Sequence, residues 1–94
     1  MKTQIQISGI YKFNNKTGPF TGTVTFDERE NCIYYSWNLR DDAGNNLGGK
    51  STPVAFQQIP LGLDKFEFSK THALEGIRKF RIGGEKIIKE LNVG

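Results

Sequence analysis

Cysteine and histidine each occur once, as Cys32 and His72, and no apolar run is long enough to span a bilayer. A lone cysteine excludes an internal disulfide, so the fold must stand on packing, as is usual in a reducing compartment. The single thiol and single imidazole lie 40 positions apart in the chain. They form no recognisable nucleophile–base pattern and offer too few soft donors for a transition-metal site. The opening stretch MKTQIQISG lacks the apolar core of a signal peptide. Without one, the sequon-like Asn15-Lys16-Thr17 reads as a turn. These absences give the expectation of a soluble cytoplasmic protein with no cofactor, no metal and no membrane partner.

Dense positive charge is also missing. Thirteen basic residues against ten acidic ones leave a net charge of +3. A chain that lives on nucleic acid usually shows a denser basic stripe. Asp41 and Asp42, with Asn45 and Asn46 close by, miss the spacing of a helix–loop–helix calcium loop and read as solvated turn residues.

Aromatic residues, by contrast, are plentiful: seven Phe, three Tyr and one Trp in 94 residues. Large rings bury much area per residue, which makes a small core feasible in a single domain covering residues 1–94. Alternation of apolar and polar residues dominates the first seventy positions and argues for strands. Ile5, Ile7, Gly9, Tyr11 and Phe13 share one face. Phe20, Gly22, Val24 and Phe26 share another, as do Ile33, Tyr35, Trp37 and Leu39. PVAFQQI and KFEFSK read as two further strands, separated by the breaker PLGLD. The expected fold is all-β, a small antiparallel barrel or sandwich of six to seven strands.

The last 24 residues support two readings. One is a short helix over 71–80 capped by Thr71, with Ala73, Ile77 and Phe80 in a stripe and Gly76 weakening its middle. The other, preferred here, is a hairpin of KFRI and EKIIKELNV turned by Gly83-Gly84, with a helical turn before it.

A loop over 14–17 sets Phe13 opposite Gly18, and hence Gly9 opposite Gly22 and Ile7 opposite Val24. Pairing Phe26 with Ile33 then sets Val24 opposite Tyr35 and Gly22 opposite Trp37. Trp37 is accordingly expected in the core, beside a gap left by two facing glycines. The gap would be filled by the Trp37 ring or would hold a small ligand.

The string GNNLGGKS, Gly44 to Ser51, fits the phosphate-loop pattern letter for letter. A working phosphate loop needs a buried strand before it and a long helix after it. Here Pro53 and Pro60 bracket only six residues, too few for that helix. The string is therefore expected to be a flexible glycine-rich connection between strands.

Two faces remain as candidate sites. The outward side of the first three strands displays Gln4, Gln6, Ser8, Thr21, Thr23, Thr25, Tyr34, Ser36, Asn38 and Arg40. In the register above, Tyr34 lies near Thr25 and Ser36 near Thr23. Tyr34, Ser36, Asn38, Arg40, Thr23 and Thr25 are the expected contacts to a protein or small-molecule partner, with Tyr34 and Arg40 carrying most of the binding. The alternative is a nucleic-acid-binding small β-barrel, in which Lys79, Arg81 and Lys86 of the C-terminal hairpin meet an anion. No general acid–base arrangement is visible, so a non-catalytic binding module is expected, as a monomer or small homo-oligomer.

Overall fold

The computed structural model describes residues 2–94. Four long strands follow one another: β1 (Lys2–Phe13), β2 (Lys16–Glu28), β3 (Cys32–Asp41) and β4 (Asn46–Ala55). A single 3-10 turn (Phe56–Gln58) leads to helix α1 (Lys65–Arg78). Short strands β5 (Arg81–Ile82) and β6 (Glu85–Lys86) come next, and β7 (Ile88–Val93) closes the chain. β7 returns to pair with β1, giving one antiparallel sheet in the order β4-β3-β2-β1-β7. β5 and β6 form a separate two-stranded hairpin. The protein is mostly β and antiparallel, as the alternation indicates. The sheet is open, not closed into a barrel, because its edge strands β4 and β7 lie at opposite sides.

The inside–outside pattern of the first three strands is as expected. Ile7, Tyr11, Phe20, Val24, Phe26, Ile33, Tyr35, Trp37 and Leu39 are all buried on one face. The register differs by two residues. Asn14 and Asn15 take positive φ values of 52° and 63° and close a two-residue turn, so Phe13 pairs with Lys16, not Gly18. Both central residues of such a primed turn need positive φ, which Asn tolerates better than most side chains. Val24 consequently faces Ile5, and Gly22 faces Ile7. The β2–β3 pairing is also shifted by two residues, with Phe26 opposite Tyr35 and not Ile33, so Val24 faces Trp37 and Gly22 faces Leu39.

The two glycines therefore do not face each other. A Cβ on Gly9 would lie 2.8 Å from the Phe20 ring and closer still to the Glu90 carbonyl, while Leu39 and Ile7 crowd Gly22. Aromatic and aliphatic neighbours fill the expected gap. Trp37 instead stacks edge-on against Phe80, with ring centroids 5.2 Å apart.

The helix is longer and earlier than 71–80. KFEFSK is its first half, not a strand, and the cap is Asp64, not Thr71: the Asp64 carboxylate accepts the Glu67 amide at 3.0 Å. Ser69, Ala73, Leu74 and Ile77 form the buried stripe, and Phe66 meets Phe26 edge-on at 5.1 Å. PVAFQQI likewise divides, its first three residues ending β4 and the next three making the 3-10 turn. The preferred hairpin exists in shortened form: Gly83 and Gly84, with φ of 57° and 83°, turn β5 into β6. The rest of its second arm leaves for the β1 edge.

Candidate functional site

One helix covers the apolar face of the sheet, and among the described residues the opposite face carries no covering layer. Its side chains stand in rows across the strands, about 4.8 Å apart from strand to strand. Gln4, Thr25, Ser36 and Ser51 make one row, and Gln6, Thr23, Asn38 and Gly49 the next. Ser8, Thr21, Arg40 and Asn46 make a third. Between them lies a shallow concavity of about 490 Å³ lined by Gln4, Thr23, Thr25, Ser36, Trp37 and Asn38.

Part of this lattice is already engaged. The Thr23 hydroxyl donates to Gln6 Oε1 at 3.1 Å, and Gln4 Nε2 donates to the Thr25 hydroxyl at 3.5 Å. No hydrogen bond engages the side chains of Ser36 or Asn38 among the described residues. Those two groups, a hydroxyl and an amide on adjacent same-face positions of β3, are the free polar centre of the concavity.

Four of the six expected contacts, Thr23, Thr25, Ser36 and Asn38, line this hollow, and Tyr34 and Arg40 flank it along β3. The two-residue shift changes the neighbours of Tyr34. It stands opposite Asp27 and Pro53, not beside Thr25. It is half-buried, with the Arg29 guanidinium 4.6 Å above its ring and Asp27 holding Arg29 at 3.4 Å. Arg40 is exposed and donates to the Gly44 carbonyl at 3.2 Å. Gln4 was legible on this face from the alternation, although its place in the hollow depends on the register.

The second expected site is rearranged. Arg81 and Lys86 face each other across the short hairpin, but Lys79 is the helix C-cap and stands outside the strand pattern. Arg81 donates to the Gly84 carbonyl at 2.9 Å. A small hollow of about 130 Å³ gathers Arg78, Lys86 and Lys89 with Glu90. Arg78 joins Lys86 there because the helix ends above β7, a placement the linear sequence does not show.

On the covered face, the buried Tyr35 hydroxyl lies 2.7 Å from His72 Nδ1. Burial raises the Tyr35 pKa above its ordinary value, against a smaller lowering by a hydrogen bond from Thr52. Asp41, expected to be solvated, is buried at the end of β3. Its carboxylate accepts the Asn45 amide at 2.8 Å, the Ala43 amide at 3.0 Å and the Asn45 side-chain amide at 3.2 Å. The Asn45 backbone amide chiefly, opposed by burial and helped by the Asn45 side chain, the Ala43 amide and Lys16, holds the Asp41 pKa below its ordinary value. A carboxylate bonded in this way closes the β3–β4 turn.

Gly44–Ser51 is mostly strand, not flexible loop: from Asn46 onward it pairs with β3, with Lys50 opposite Trp37 and Ser51 opposite Ser36. The backbone that a phosphate loop would wrap around a nucleotide is extended here, and no helix follows Ser51 directly. No cluster of three or more His, Cys, Asp or Glu able to hold a metal occurs among the described residues, and no helix among them is long and apolar enough to cross a membrane. Comparison with protein-family models, with curated proteins and with solved structures gave no match.

Proposed function

We propose that this chain is a binding module, not an enzyme, and that it contacts a protein or small polar ligand through the uncovered face of its sheet. The observation that carries this reading is the hollow centred on Ser36 and Asn38. It is a neutral array of donors and acceptors held by three paired strands, with two polar groups that no other described side chain engages. Rigid strands hold such groups in place, so little ordering entropy is lost on binding. Tyr34 and Arg40 border the hollow and add the ring and guanidinium that interfaces favour.

A second reading rests on the hollow of Arg78, Lys86 and Lys89, whose charges suit a phosphate backbone. Native mass spectrometry of the protein isolated from its own cells identifies what travels with it. Calorimetric titration of that molecule then compares wild type with Ser36→Ala/Asn38→Ala and with Tyr34→Ala/Arg40→Ala. Both double variants are expected to stay within about 0.5 kcal/mol of wild-type stability per site and to bind at least tenfold more weakly. Affinity that ignores both, and falls instead with Arg78→Ala/Lys86→Ala, assigns the partner to the basic hollow.

A further inference from the structure

Strand β4 is an edge of the sheet, and its own sequence reveals which of its backbone groups are free. In an antiparallel pair, residues directly opposite alternate between exchanging both backbone hydrogen bonds and exchanging none. Pro53 has no N–H to give, so its pair with Tyr34 is one that exchanges none. By alternation Thr52 and Lys50 bond to Tyr35 and Trp37, and the pairs Ser51–Ser36 and Gly49–Asn38 exchange none. The N–H and C=O groups of Gly49 and Ser51, and the C=O of Pro53, therefore point away from the sheet.

The free stretch has a definite end. The Ala55 amide, next in the outward series, donates to Gln58 Oε1 at 2.8 Å, so the 3-10 turn folds back and closes the edge there. Gly49, Ser51 and Pro53 are all exposed. The opposite edge, β7, has six residues and an irregular register against β1 between Ile10 and Tyr11. β4 is the longer edge, with ten residues.

We infer that the β4 edge accepts an extended acidic peptide from a partner protein as a sixth strand, main chain to main chain along Gly49–Pro53. The charge of the edge selects the occupant. Lys50 is the sole charged side chain on β4, and it lies on the helix side of the sheet opposite Trp37. A second copy of this chain would bring another Lys50 and no carboxylate, with a net charge of +3 on each copy. An edge lysine disfavours that self-pairing. A glutamate or aspartate beside Lys50 on a partner strand answers the charge. Side chains of the added strand on the other side would extend the Ser51–Ser36 and Gly49–Asn38 rows, although the edge contact does not depend on that face binding anything.

Pro53 also indicates the test, since the strand already tolerates a proline at an outward N–H position. Ser51→Pro removes a free donor without taking any bond from the β3–β4 ladder, and Ser51→Ala controls for the hydroxyl. Random octapeptides displayed on phage are panned against the full-length chain, and the enriched peptides are synthesised and titrated. Expected are peptides with an acidic residue among β-formers, binding lost at least tenfold in Ser51→Pro and kept in Ser51→Ala. Amide exchange at Gly49 and Ser51 should slow at least tenfold when peptide is bound. The exchange measurement uses wild-type protein and so decides the matter even if Ser51→Pro fails to fold. Failure to enrich any peptide, enriched peptides without acid, or unchanged exchange at both amides would overturn the inference. So would concentration-dependent dimerisation abolished by Ser51→Pro, which assigns the edge to a second copy.

Discussion

Trp37 shows what one residue contributes to this fold. It retains 4% of its exposure, between Val24 and Lys50 across the strands and against the Phe80 ring. Gly48 makes that contact feasible, since a Cβ there would stand 2.4 Å from Phe80. Truncating Trp37 to Ala opens a void that the surrounding β-sheet is too stiff to close, at a cost of about 3–5 kcal/mol. Urea denaturation followed by circular dichroism measures this loss. The native protein should emit at blue-shifted wavelength, and emission like free tryptophan would contradict the buried placement.

At the scale of the element, α1 carries a residue that works against it. Gly76 is exposed in the helix interior, and a Cβ added there meets nothing within 4 Å. Gly76→Ala is therefore expected to raise stability by about 1 kcal/mol, by restricting the unfolded chain and favouring the helical backbone. A rise in the urea midpoint at unchanged slope is the expected readout, and a fall would mean that the exposed helix face contacts something. The helix start was written in Asp64 and Glu67, but the alternating Phe66 and Phe68 gave an equally good strand pattern. Two local signals disagreed, and docking of Ser69, Ala73 and Ile77 on the sheet decided between them.

For the whole molecule, two groups with shifted pKa make stability depend on pH, and their signs are opposite. Asp41 has a lowered folded pKa because backbone amides hold its ionised form. Its contribution is complete above the ordinary aspartate value of 3.8 and is lost as pH falls through the lowered folded value. Tyr35 has a raised folded pKa because burial favours the neutral phenol. Its contribution is complete below the ordinary value of 10.0 and is lost as pH rises through the raised one. Urea midpoints measured across pH should decline at both ends. Asp41→Asn should flatten the acid limb, and Tyr35→Phe the alkaline limb, each leaving the other in place.

The sequence by itself determined the faces of β1, β2 and β3. A strand's side chains alternate with period two, and only one phase buries Ile7, Val24, Tyr35 and Trp37 together. For the same reason it did not determine the register, because a slip of two residues keeps every side chain on its face. The backbone of Asn14 and Asn15 settled that for β1 and β2 by making their turn two residues long, and the connection from Arg29 to Asn31 settled it for β2 and β3. Ser36 and Asn38 were legible as outward-facing, whereas their isolation from hydrogen-bonding partners was not, because it depends on which cross-strand groups stand opposite. Whether the sheet closed into a barrel lay wholly with tertiary structure. That outcome turns on β7 crossing the length of the chain to join β1, and on α1 covering the apolar face in place of a second sheet. Both are contacts between residues far apart in sequence, and no local pattern encodes them.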